Sequence, residues 1–408
     1  MNPFSSLARR SVEANATVKT PALDLPRIQG WCPGALRPML SGDGLVVRIR
    51  PHAGRLTPTQ ASGIAALSRR FGNGMLDVTS RANLQLRGVT QTTHPALVEG
   101  LRDLDLIDAS PEVEARRNIV VSPFWNANDG TLLMTAALTE ALASPDAPTL
   151  PGKFGFAVDC GEETVLRATS ADIRIERGAH AYVVWAEGFS TGAMVAAFEA
   201  VPAAMELARW FLANGGGTAG RGRMAALAPI HPLPARFQAT AVLPTLVAKP
   251  QPGPVANGWL VGAEFGQMQA ETFADLSTLG ALRITPWQML LVEGATCAPQ
   301  FAGLISEADD PRLRVVACTG APGCLQAAAT TRPLARTLAE HVPAGRLLHV
   351  SGCTKGCAHP KASLTLVATA AGFDLIGHGT ASSPPELRAL PPAAIAFHLI
   401  QAFHAPPI

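Results

Sequence analysis

The chain has 408 residues, with 33 basic side chains against 31 acidic ones and a net charge of +2. At roughly 100–200 residues per domain, that length implies two to four domains; 48% hydrophobic against 16% charged residues excludes a disordered chain. The balanced charge gives no reason to expect nucleic acid, and no run of eighteen uninterrupted apolar residues is present, so no membrane span is expected.

Residues 1–26 are polar and lack clear periodicity, which reads as an extended arm. They contain no apolar leader segment, so a cytoplasmic location is expected. A strand is predicted over 45–50 (LVVRIR), between the turns SGDG and PHAG. A helix follows over 57–71, with Thr57 as N-cap and Pro58 at the first helical position. Two strands are predicted next, over 75–79 and 83–87. The same order returns later as a strand over 259–264, a helix over 270–277 and a segment, 280–292, that echoes 74–89. In both segments an apolar–x–apolar–Thr step leads into a polar corner, then Gln, then an apolar strand. The stretches that follow also match, 118–122 with 313–317 and 154–159 with 347–351, both strands of the second pair running into a cysteine-bearing segment, at Cys160 and at Cys353. The pattern is a duplicated unit, A–B–A′–B′, with a linker (KPQPGP) opening the second copy and a functional site expected between elements of the two.

Only Lys19, Lys153, Lys249, Lys355 and Lys361 are lysines; every other basic residue is arginine. Base composition explains such a bias, as does a ligand rich in carboxylates, because the guanidinium fork gives two parallel hydrogen bonds. Seven cysteines, an odd number, argue against a disulfide framework. Four are clustered: Cys318 and Cys324 form C-x5-C, and Cys353 and Cys357 form C-x3-C. Four thiolates on glycine-rich loops after apolar strands are what an iron–sulfur cube needs. Buried free thiols and a zinc site are the alternatives; zinc favours closer spacings than x5. Cys32, Cys160 and Cys297 read as core or loop residues. The glycine-rich stretch 215–222 lacks the ending of a phosphate loop and reads as a plain loop.

The cysteine spacing and the duplication resemble the sulfite and nitrite reductase superfamily. Thr79-Ser80-Arg81-Ala82-Asn83-Leu84-Gln85 resembles its T-x-R-x-x-x-Q corner, and Arg117-Asn118-Ile119-Val120 its R-N-hydrophobic motif. Its P-x-K-x-K pattern is half kept, with Lys153 at the first lysine and Gly155 at the second. Within the superfamily, 30–34 (GWCPG), 41–45 (SGDGL), 79–88 (TSRANLQLRG) and 351–360 (SGCTKGCAHP) resemble the precorrin-3B synthase family of aerobic cobalamin biosynthesis.

The resemblance implies an α+β fold. It divides the chain into the arm, a ferredoxin-like half-domain over 27–100, a tetrapyrrole-binding α+β domain over 101–248, a second half-domain over 249–312 and a cluster-binding α+β domain over 313–408. It implies oxygen-dependent hydroxylation of precorrin-3A with γ-lactone formation. A 4Fe–4S cluster on Cys318, Cys324, Cys353 and Cys357, a mononuclear non-haem iron, and a separate electron-donating reductase fed by NADH would serve that reaction. The iron's ligands are not given by any motif; His359 is the first candidate. Lys153 is expected at the catalytic position, with Arg81, Arg117, Gln85, Arg48, Arg50, Arg87 and Arg116 as tetrapyrrole contacts. Siroheme-dependent sulfite or nitrite reduction is the alternative activity, and a pure electron-transfer module the non-catalytic one.

Overall fold

A computed structural model of the chain describes residues 31–178, 181–242 and 248–404. The expected arm, 1–26, lies outside the described residues. The fold is α+β, and the described residues form four sheets.

The first helix, Pro58–Phe71, begins as its sequence dictates. Thr57 Oγ1 accepts from the Gln60 amide while Gln60 Oε1 accepts from the Thr57 amide, a capping box that satisfies two otherwise orphaned donors. Ala61, Ile64, Ala65 and Ser68 form its buried face. They pack on a sheet ordered Met39–Ser41, Gly44–Ile49, Leu84–Val89, Met75–Val78 and Gln267–Gln269. The last of these strands comes from the second copy. In return Arg55–Leu56, from the first copy, joins the sheet of Gly253–Val255, Gly258–Ala263, Met289–Glu293 and Leu282–Ile284. Each exchanged strand directly precedes its own copy's helix, Pro58–Phe71 or Ala270–Ser277, so the two helices are drawn together over one shared core.

The copies agree in fine detail. Thr79 Oγ1 accepts from the amides of Arg81 and Asn83, and Thr285 Oγ1 from those of Trp287 and Met289. Each corner contains a residue at positive φ, Ala82 at 53° and Gln288 at 62°. Gln288 therefore stands in register with Ala82. Strand pairing places Leu291, not Gln288, at the position of Gln85. The glutamine match expected from sequence is thus displaced by three residues.

The other two sheets repeat a second topology. Ile119–Val121, Phe156–Asp159 and Ile173–Arg177 run parallel, followed by antiparallel Tyr182–Ala186, Thr191–Val195 and Thr240–Ala241. Val315–Ala317, Leu348–Ser351 and Ser363–Thr369 run parallel, followed by antiparallel Gly372–Gly379 and Leu387–Leu390. Both cysteine pairs leave the ends of parallel strands in this last sheet.

Candidate functional site

The sheet of the first copy has two unlike faces, because successive side chains alternate across it. Val47, Ile49, Leu76, Leu84 and Leu86 face the helices and are buried. The opposite face carries Arg48, Asp77, Gln85 and Arg87. Arg48 donates through Nε and Nη2 to Gln85 Oε1, at 3.2 and 2.7 Å. At one end of this face the loop between Cys318 and Cys324 is docked. Arg87 Nη2 donates to the Gly323 carbonyl at 2.7 Å, and Ser41 Oγ donates to the same oxygen at 2.6 Å. At the other end Arg81 Nη2 donates to the Lys153 carbonyl at 3.1 Å and to Ser170 Oγ at 3.4 Å. The charged face is thus a floor between the cysteine loop and the Lys153 loop.

The second copy has no such floor. The positions of Arg48 and Gln85 are occupied there by Leu260 and Leu291, which pack with Met289 beneath Phe124 and Trp287. Phe124 and Trp287 stack with centroids 6.1 Å apart. Asp77 and Arg87 are matched by Arg283 and Glu293, an ion pair of reversed polarity at 2.5 Å. This face of the first half is polar, whereas its counterpart in the second half is packed with apolar side chains.

The expected contacts divide into two groups. Arg87 holds Asp43 through Nε and Nη2 at 3.0 and 2.7 Å as well as the cysteine loop. Arg117 is bidentate to Asp108 and also caps the Arg50 carbonyl. Arg50 pairs with Glu114 at 3.1 Å, and burial lowers its pKa to about 10. The forks of Arg87 and Arg117 are engaged inside the protein, whereas Arg50 keeps a buried Nε without a partner despite its ion pair. Arg48 and Arg81 also have donors to spare. Each keeps a buried Nη1 without a partner, although burial lowers the pKa of Arg81. Arg116 donates to the Ala147 carbonyl at 3.4 Å and lines a cavity of about 290 Å³ beside Trp31 and Cys32. Lys153 is exposed.

Gly155 is sterically fixed. A Cβ there would lie 2.7 Å from Asn118 Nδ2 and 3.1 Å from the Asn118 carbonyl. The Gly155 amide donates to Asp172, whose carboxylate also binds Arg223 and the Met224 amide. Arg223 reaches Ser170 Oγ at 3.1 Å, beside Arg81. Sequence reading missed Cys32, Ser170 and Arg223. The only signal was the GWCPG segment, because the partners of these residues come from distant parts of the chain.

The four clustered cysteines lie in mutual electrostatic reach. Burial first, then the Cys324 and Cys318 sulfurs, push the Cys353 thiol up against a backbone hydrogen bond at Lys355. Burial first, then Cys353, Cys318 and Cys324, raise Cys357 against the Lys355 charge. The Gly352 amide donates to Cys318 Sγ at 3.1 Å, and a Cβ on Gly352 would meet Ala327 at 2.6 Å. Yet among the described residues no three His, Cys, Asp or Glu side chains converge on a single-ion point. The same observation gives no three-ligand set for a mononuclear iron. The ring of His359 lies 5.8 Å from the ring of His349. His349 is fully buried with neither ring nitrogen partnered, and burial lowers its pKa to about 4. Cys160 is fully buried, and burial raises its pKa to about 12, which suits a core thiol.

Residues 37–104 match the model of the nitrite/sulfite reductase ferredoxin-like half domain. A precorrin-3B synthase from Sinorhizobium sp. is 32% identical over 393 residues, covering 88% of this chain and 84% of that one. The chain belongs to the precorrin-3B synthase family. A ferredoxin–nitrite reductase of Synechococcus elongatus is 28% identical over 174 residues, covering 39% of this chain and 34% of that one. The NirA protein of Mycobacterium tuberculosis has a similar fold, with a TM-score of 0.59 at 16% identity over 88% of this chain and 81% of that one. The synthase relative matches nearly end to end, whereas the reductase covers a minor part. No helix of the described residues is long and apolar enough to cross a membrane.

Proposed function

We propose that the chain is a precorrin-3B synthase that binds precorrin-3A on the charged face of the first sheet and hydroxylates it at the expense of dioxygen, with closure of a γ-lactone. The observation that supports this reading is the pair of buried, unpartnered Nη1 groups on Arg48 and Arg81. A cationic donor left unpaired away from water is costly, roughly 1–3 kcal/mol or more, and a carboxylate removes that cost. A precorrin carries carboxylates around its rim. Arg48 and Arg81 therefore bind and orient it, and Gln85 fixes the Arg48 fork. Lys153, which is exposed, screens the remaining carboxylates. The cysteine loop, docked on Arg87, closes the other end of the floor and limits where the macrocycle can sit.

Cys318, Cys324, Cys353 and Cys357 would hold a 4Fe–4S cluster, which when bound supplies one-electron transfer beside the floor. The electron donor is a separate protein, with NADH as the ultimate source. No step is assigned to a mononuclear iron, because the described residues offer no ligand set for one. Siroheme-dependent sulfite reduction is disfavoured by Gly155: the second lysine of that chemistry has no room beside Asn118.

The test is anaerobic absorbance titration with precorrin-3A, followed by admission of air and product analysis. Cys353→Ser should lose bound iron and sulfide and Cys297→Ser should keep both. Robust sulfite or nitrite reduction by the unaltered protein, without turnover of precorrin-3A, would overturn the reading.

A further inference from the structure

Cys32 sits against the same floor. The Pro33 carbonyl accepts from Arg50 Nη2 at 3.2 Å, and the Gly34 carbonyl from the Arg48 amide at 3.1 Å. On its other side a Cβ on Gly152 would lie 4.0 Å from the Cys32 amide nitrogen. Segment 31–34 is thus pressed between the arginine strand and the Lys153 loop. The Cys32 side chain is half-buried and borders the cavity of about 290 Å³.

Arg50 lines the same cavity as Cys32, and Arg48 and Arg81 stand within electrostatic reach of its sulfur. Arg48 Nη1, Arg50 Nε and Arg81 Nη1 are buried without a hydrogen-bond partner. Arg48 and Arg50 are only 8% and 5% exposed. Unpartnered guanidinium groups at that depth call for an anion and repel a metal cation. Burial alone would push the Cys32 thiol up; Arg48, Arg81 and Arg50 outweigh it and hold the thiol below its ordinary value. A partly accessible thiolate in an electropositive pocket is a reactive one.

We propose that Cys32 is a site of reversible peroxide modification, whose sulfenate takes up the spare donors of Arg48, Arg50 and Arg81 and closes the floor to a substrate carboxylate. The thiolate attacks one oxygen of hydrogen peroxide. An S–O bond forms, the O–O bond breaks, and the departing hydroxide takes a proton to become water. The sulfur loses two electrons and the peroxide gains them; a thiol reductant restores the cysteine through a mixed disulfide. The closure rests on the tetrapyrrole reading, but the modification does not.

The experiment treats the cluster-loaded full chain with substoichiometric hydrogen peroxide, traps sulfenate with dimedone and maps the labelled peptides. Alkylation by iodoacetamide at pH 7, without oxidant, gives an independent measure. Cys32 should react at least tenfold faster than the exposed Cys297, and Arg48→Gln should slow Cys32 severalfold. Equal or faster reaction of Cys297 overturns the proposal. Precorrin-3A affinity is then measured before and after peroxide. The parent protein should lose at least tenfold, restored by dithiothreitol, whereas in Cys32→Ser the ratio should stay near one. Labelling of Cys32 without any change in affinity overturns the closure. A chain that labels at Cys32 but never binds precorrin-3A refutes the substrate assignment and leaves the modification standing.

Discussion

Replacing Arg87 by leucine separates a structural clamp from a substrate contact. The side chain is 4% exposed. It makes two short bonds to Asp43, one to the Gly323 carbonyl, one to Ser41 Oγ at 3.3 Å and a longer ion pair with Asp77 at 3.7 Å. Leucine fills much of the volume but leaves Asp43 without its fork and the cysteine loop held at the Gly323 carbonyl by the Ser41 hydroxyl and the Gly42 amide alone. Asp77 keeps Gln267 at 2.9 Å and Arg332 at 3.2 Å, so it is not orphaned. Removing one partner of a buried ion pair costs about 3–5 kcal/mol. The residual partners of Asp77 and the partial exposure of Asp43 place Arg87→Leu near the lower end, at about 3 kcal/mol. Arg87→Lys keeps the charge without the fork and should lose about half of that. The assay is equilibrium urea denaturation followed by tryptophan fluorescence, alongside the rate at which cluster iron is lost to a chelator. Both should worsen together in Arg87→Leu, because the same bond anchors the loop. A variant as stable as the parent but with precorrin-3A affinity reduced tenfold would show that Arg87 meets the substrate and that the clamp is misread.

Arg81→Ala should weaken precorrin-3A binding about tenfold to a hundredfold, the equivalent of roughly 1.5–3 kcal/mol for one shielded charge-assisted pair; unchanged titration curves would remove Arg81 from the site. Arg81→Lys should lower turnover more than affinity, since a misplaced macrocycle reacts slowly even when bound; a parallel fall in both would count against positioning. Gly155→Ala should destabilise the protein by about 1–3 kcal/mol through the contact with Asn118, as overpacking does, and Gly155→Lys should do so more strongly without gaining sulfite reduction. Burial raises the pKa of Asp159 to about 6 despite hydrogen bonds from Leu166, Val165 and Ser122. Between the usual carboxyl value of about 4 and this raised one, the folded state keeps a proton that the unfolded state has released. Stability from this group is therefore complete below about pH 4 and falls by about 3 kcal/mol as pH rises through 6. Asp159→Asn should flatten that fall; identical pH profiles of the two proteins would refute the assignment.

How far the sequence could be read follows from how local each signal is. Thr57, Pro58 and Gln60 lie within one turn of one another, so the helix start was legible. The corner at Thr79 and its echo at Thr285 were visible for the same reason, although the displaced Gln288 shows that a polar residue in a corner is a poor ruler. Arg50 and Arg87 were expected at the substrate as strand arginines and Arg117 through the R-N-hydrophobic resemblance, signals that announce charge but not its partner. Their carboxylates, Glu114, Asp43 and Asp108, are brought up by other elements. Cys32 was passed over on the same ground, since its arginines stand at 48, 50 and 81. The strand exchange was invisible. Arg55–Leu56 and Gln267–Gln269 are too short to show alternation, and nothing in them names the sheet they join.

That exchange bears on how such a chain could arise. A single ancestral copy could not have completed its own sheet, because the strand ahead of its helix would have been given to a neighbour. Its stable form would have been a symmetric pair of identical chains trading that strand. Joining the two genes turned the neighbour into the other half of one polypeptide and made the trade intramolecular, at an effective concentration no free dimer reaches. With the pair permanently tethered, the two matching faces are free to differ, one carrying Arg48 and Gln85 and the other Leu260 and Leu291 as packing. Severing the chain between the halves should therefore yield fragments that fold only in each other's company.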